Sequence, residues 1–251
     1  MKIVALTGAL AALALVAMVA PANAENWARS WAASPQAPTP SGGRFPGSPT
    51  FNDQTVRQVV RLSGGGSKVR IRFTNEFGTK PIDIGGAHVA LAGDDGAIRQ
   101  GSDHALTFGG RSTATIPVGA PLLSDPVDMK VASLSKLAIS IYLPGQVDSC
   151  TCHGTAVQAG WMDAGNHMSD ASLPDAKPMV QRALISGVDV GVTGPARTIV
   201  AFGDSITDGV GSSMNANKRW PDQFADRLVK RGGAAVYVAN EGISGNRVLG
   251  D

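Results

Sequence analysis

The sequence predicts an all-β sandwich or jelly-roll-like domain followed by the opening of an α/β domain, and three observations predict it. Between residues 55 and 190, short runs in which apolar and polar residues alternate are separated by Gly, Asp and Pro breakers at the spacing of a sandwich. After Gly194-Pro195 the alternation stops. Residues 198–202 form a continuous apolar run, as in a parallel strand buried on both faces. An amphipathic stretch, Trp220–Arg231, then leads to a second apolar run at residues 235–239, which makes a β-α-β unit with a right-handed crossover.

Composition narrows the class. The 251 residues are 43% hydrophobic, 17% charged and 5% aromatic, which excludes an acidic disordered tail, a coiled coil and a polytopic membrane protein. The net charge is +2 and no run of basic residues is interleaved with aromatics, so nucleic acid is not an expected partner.

Lys2, the apolar residues 3–20, Pro21 and Ala22-Asn23-Ala24 follow the order of a secretory signal peptide, with cleavage expected after Ala24. The competing reading is an uncleaved anchor, against which Thr7 and Gly8 interrupt the run. Cleavage leaves no second hydrophobic span and hence no stable membrane insertion, and it places the protein outside the cell or in a periplasm. Residues 25–54 read as an extended segment rich in Pro, Ser and Gly, residues 55–195 as the β domain and residues 196–251 as the α/β part.

Within the β domain, Val69, Ile71 and Phe73 of Lys68–Thr74 point to one face, giving a half-buried antiparallel strand. Gly64-Gly65-Gly66-Ser67 permits positive φ and suits a hairpin to the strand at residues 55–63. Further strands are expected at residues 88–91, 105–108, 113–118, 136–143 and 183–190. Export allows Cys150 and Cys152 to pair. Their spacing makes a tight ring, and free thiols or a metal held with His153 are the alternatives, although no second cluster completes a tetrahedral site. In the helix at Trp220–Arg231, Pro221 suits the first position and Asp222 and Asp226 lie toward the start. Lys230, Arg231 and Gly232-Gly233 close it, and Phe224, Ala225, Leu228 and Val229 form the buried stripe.

The loop Gly203-Asp204-Ser205-Ile206-Thr207-Asp208-Gly209 follows the first buried strand, where open α/β sheets place their active sites. A phosphate-binding loop would need Lys where Val210 stands, and a dinucleotide fingerprint fails after Gly209-Val210-Gly211. The Gly-x-Ser-x-Gly elbow fails at Thr207. A serine on a strand-to-helix turn that exposes its hydroxyl remains.

This loop resembles block I of the GDSL, or SGNH, hydrolases, and Asn240-Glu241-Gly242-Ile243-Ser244-Gly245-Asn246 resembles their block II. The resemblance implies a flavodoxin-like three-layer domain, Ser205 as the acyl-accepting nucleophile and the N–H groups of Ser205 and Gly245 as oxyanion donors. Gly203, Asp204 and Asp208 are read as loop support, the two carboxylates as loop-shaping and helix-start groups rather than as an acid pair. Trp27-Ala28-Arg29-Ser30-Trp31 is similar to the start of the accessory domain of secreted esterases grouped with xylan-associated acyl hydrolases. An ester substrate follows, including an acylated polysaccharide, with no metal and no organic cofactor.

The family's Gly-x-Asn-Asp and Asp-x-x-His blocks do not occur in these residues, so the expectation is a C-terminally truncated and inactive fragment of a serine esterase. His88, His104, His153 and His167 read as surface or packing residues. His104 follows Asp103 directly, which puts their side chains on opposite faces of a strand. The rival function is a carbohydrate-binding β domain with a vestigial hydrolase stub, for which Trp27, Trp31 and Trp161 would stack on sugar rings.

Overall fold

In the computed structural model, residues 25–40, 42, 47–232 and 235–249 are described, and the expected signal peptide lies outside them. The strands are β1 (Asn26–Ala32), β2 (Gln54–Arg61), β3 (Lys68–Thr74), β4 (Ile82–Ile84), β5 (Gly86–Leu91), β6 (His104–Ala105), β7 (Ala114–Ile116) and β8 (Pro121–Leu123). They continue with β9 (Lys136–Leu143), β10 (Cys152–His153), β11 (Gly160–Ala164), β12 (Lys177–Met179), β13 (Arg182–Ala183), β14 (Ile185–Val192), β15 (Ala196–Gly203) and β16 (Ala235–Gly242). The helices are α1 (Ser205–Asp208) and α2 (Trp220–Arg231).

Two sheets carry the first part of the chain, one in the order β1-β14-β3-β8 and one in the order β12-β11-β2-β9-β5-β6. Alternation explains how they meet. Val69, Ile71 and Phe73 of β3 share one buried cluster with Val188 and Val190 of β14, Val56 and Val60 of β2, and Leu137, Ile139 and Ile141 of β9. The opposite face of the larger sheet is also covered, and Arg57 holds that cover. Its fully buried guanidinium donates to Ser140 Oγ at 2.8 Å and to the carbonyls of Gly96, His167, Met168 and Asp170 at 2.8–3.2 Å. Burial lowers its pKa, while Asp103 and Asp170 oppose that shift.

The stretch expected to be a hairpin joins two different sheets, because β2 pairs with β9 and β11 whereas β3 pairs with β14 and β8. None of Gly64, Gly65 and Gly66 adopts a positive φ. They are glycines for close approach. A Cβ on Gly64 would clash with the Tyr237 ring, one on Gly65 would stand 2.5 Å from Val131 O, and one on Gly66 2.7 Å from Gly191 O.

The segment at residues 25–54 is less separate than its composition implies, since β1 is an edge strand of the smaller sheet and pairs antiparallel with β14. Trp31 is buried at 6% exposure, and the Arg70 guanidinium stacks 4.2 Å over Trp27, so these rings serve packing. Cys150 and Cys152 form a disulfide with Cα atoms 5.5 Å apart.

In the α/β part, β15 and β16 pair in parallel from Ala196 opposite Ala235 to Gly203 opposite Gly242. The expectation that residues 198–202 are buried on both faces is corrected: Ile199 is 41% exposed, Val200 57% and Phe202 80%, and only Ala201 is buried. In this two-stranded sheet β15 has one neighbouring strand, and β16 takes the place against the sandwich. Tyr237 of β16 belongs to the sandwich's own cluster and donates its hydroxyl to Gly65 O at 2.8 Å. Ser63 Oγ accepts from Val238 N at 2.9 Å, and Arg61 pairs with Asp226 of α2 at 2.6 Å. Helix α2 buries Pro221 and Ala225 and half-buries Phe224 and Leu228, but Val229 is exposed, which narrows the expected stripe. Its N-cap is Arg219, whose N–H donates to Asp222 Oδ2 at 3.1 Å, so Pro221 stands one position later than expected. Among the described residues no helix is long and apolar enough to cross a membrane.

Candidate active site

The carboxyl end of β15 runs into a turn that only particular residues can make. Gly203 closes it, since a Cβ there would lie 2.3 Å from Thr207 Oγ1. Asp204 caps α1 by accepting from Ile206 N at 2.9 Å. Ser205 is the first residue of α1 and is half-buried, and its carbonyl accepts from Gly209 N and Val210 N at 2.9 and 3.0 Å. Gly209 ends the turn at φ 103°.

The loop after β16 packs directly on this turn. A Cβ on Gly242 would stand 2.4 Å from Asp208 N, so that glycine permits close packing. Asn240 Nδ2 donates to Thr207 O at 2.9 Å, and its Oδ1 accepts from Gly242 N at 3.0 Å. Ile243 N donates to Gly203 O at 3.0 Å. Gly245 is exposed at φ 90°, a conformation that favours glycine.

Asp208 differs from its expected place at a helix start. It ends α1 and is 1% exposed, and both carboxylate oxygens are engaged. Oδ2 accepts from Ser244 N at 2.9 Å and from Ser244 Oγ at 2.5 Å, while Oδ1 lies 2.8 Å from His153 Nε2. The two glycine-bearing loops are therefore joined through one carboxylate. The residues 201–251 match the family model of the GDSL-like Lipase/Acylhydrolase family. That match, which lies outside the sandwich, supports a hydrolase of the GDSL type. No curated protein matches the chain.

Around the GDSL-like turn, the structure brings Gly203, Asp204, Ser205 and Asp208 together on one strand-to-helix connection and sets the Ser244-Gly245 loop against it. Three of the four histidines have carboxylate partners. His88 Nδ1 lies 2.7 Å from Asp103, so Asp103 reaches across to His88 rather than to its neighbour His104. His167 Nδ1 lies 2.7 Å from Asp170, which raises the His167 pKa. His153, on β10, is the one that reaches the turn, and local pattern had no means to show it: 55 residues separate it from Asp208. Beside it in the β10–β13 pair stands Arg182, with Nη1 buried and without a hydrogen-bond partner among the described residues. Burial pushes the Arg182 pKa down to about 9, and Arg219 adds to the shift. Among the described residues, no group of three or more His, Cys, Asp or Glu is placed to hold a metal ion.

Proposed function

We propose that the protein is an exported serine ester hydrolase of the SGNH type that removes acyl groups, acetyl among them, from carbohydrates or small esters. The observation that carries the reading is Ser205 at the start of a helical turn, at the carboxyl end of a parallel strand, with the Gly245 loop tied to the same turn through Asp208. In this mechanism Ser205 Oγ attacks the ester carbonyl and its proton passes to a base. The N–H groups of Ser205 and Gly245 hold the oxyanion, the alcohol leaves with a proton, and water hydrolyses the acyl-enzyme.

Among the described residues no histidine is hydrogen-bonded to Ser205, and the family's Asp-x-x-His block is not among residues 1–251. The reading of residues 1–24 as a signal peptide, together with the Cys150–Cys152 disulfide, supports an oxidising compartment.

Protein expressed from the intact gene is expected to hydrolyse a short-chain nitrophenyl ester, and Ser205→Ala to abolish this. Full turnover in Ser205→Ala contradicts the assignment.

A further inference from the structure

His153 belongs to the two-stranded β10–β13 sheet, whose Cys152 and Ala183 lie in the sandwich's core cluster, yet it ends on the GDSL-like turn, and its surroundings define what it can do. Its side chain is 5% exposed and that of Asp208 is 2% exposed, so the pair is shielded from water. Nδ1 lies 3.0 Å from Ser34 O, which only accepts, so Nδ1 carries a hydrogen. Nε2 faces Asp208 Oδ1, and one proton lies between them, on the nitrogen or on the oxygen. In either case neither ring nitrogen has a lone pair free to take the proton of Ser205. The histidine is thus not a general base.

Asp208 has a second set of partners. Its Oδ2 holds both the N–H and the hydroxyl of Ser244, and Ser244 Oγ also lies 3.1 Å from Thr155 Oγ1. Ser244 directly precedes Gly245. The chain of contacts therefore runs from the sandwich through His153 and Asp208 to the residue before the oxyanion glycine. A further bond from the sandwich side, Ser34 Oγ to Glu241 Oε2 at 2.7 Å, fixes the end of β16 from which that loop departs.

We propose that His153 is a positioning residue: it orients the Asp208 carboxylate so that the Ser244-Gly245 loop is held in register with Ser205, which makes the β-sandwich a structural part of the hydrolase site. The proposal rests on the reading of Ser205 and Gly245 as nucleophile and oxyanion donor. Without the imidazole, Asp208 Oδ1 is a buried acceptor with no partner, and the carboxylate has reason to turn away from Ser244.

The test uses residues 1–251, with amide hydrogen exchange read at Ser244 and, as an internal reference, across β9. Three variants separate the two nitrogens. His153→Gln keeps a donor near the place of Nε2, His153→Asn keeps one near Nδ1, and His153→Ala keeps neither. A hydrogen bond to a charged group lost at Asp208 should speed Ser244 exchange about 10-fold or more in the Asn and Ala variants, with Gln staying close to wild type. Protection across β9 should be unchanged. Unchanged Ser244 exchange in His153→Asn overturns the proposal. So does an equal loss in Gln and Asn, or a loss that extends to β9 in both, because His153 would then be a packing residue of the sandwich. In protein from the intact gene, His153→Asn should lower kcat about 10-fold with little change in KM, and His153→Gln should restore it. Exchange requires no ester, so activity retained in Ser205→Ala would remove the nucleophile assignment without altering the exchange result.

Discussion

Strands β9 and β15 are both apolar eight-residue strands, and they have opposite fates. In β9, Leu137, Ile139, Ile141 and Leu143 are completely buried, with β2 on one side, β5 on the other and the second sheet above. In β15, Phe202 is 80% exposed and Val200 57%. Burial is a property of neighbours, and residue type only makes it favourable once the neighbours exist. The contrast also explains the position of β16. Placed against the sandwich, it buries Tyr237, Val238 and Ala239 to 5% exposure or less. The α/β part thus takes its core from the sandwich, and the sandwich gives His153 to the α/β loops in the same arrangement.

Two buried arginines offer the largest expected effect. Arg57→Met removes the donor to four loop carbonyls and to Ser140, and should destabilise by about 3–5 kcal/mol in chemical denaturation. Arg182→Met removes a buried cation whose Nη1 has no partner among the described residues, and should be neutral or stabilising. Equal losses would mean that Arg182 is as well satisfied as Arg57.

Next in size is the comparison of strands itself. Ile139→Ala should cost about 2–5 kcal/mol through lost burial and a residual cavity. Phe202→Ala should stay within about 0.5 kcal/mol in residues 1–251, as for an exposed site. A large loss at Phe202 would reveal packing on the outer face of β15.

The smallest effect is electrostatic. The Arg72 hydrogen bond, aided by Thr74, holds Glu76 below its ordinary value of 4.5. A carboxylate depressed in the folded state contributes stability above its unfolded pKa, and loses it as pH falls through the folded one. Wild-type stability should therefore fall more steeply below pH 4.5 than that of Glu76→Gln. Parallel acid profiles in the two proteins would remove Glu76 from the account.

What the sequence revealed follows the range of each signal. Alternation is local, so β3 and β9 run over the residues that the period-2 pattern marks, Lys68–Thr74 and Lys136–Leu143. The turn with Ser205 was legible for the same reason, since its strand, glycine and serine are contiguous. Gly64, Gly65 and Gly66 misled because a glycine that admits a neighbouring chain reads like one that permits a turn. β1 was missed because its Trp, Ala and Ser residues show no clean alternation, and pairing with β14 defines it. The contact of His153 with Asp208 was invisible because it exists only once the two parts of the chain have packed.

The most direct measurement is the intact mass of the protein from the whole gene after treatment with a fluorophosphonate, followed by peptide mapping. The account predicts a single adduct on Ser205, absent in Ser205→Ala together with ester hydrolysis. An adduct on another serine, or hydrolysis that survives in Ser205→Ala, would contradict it.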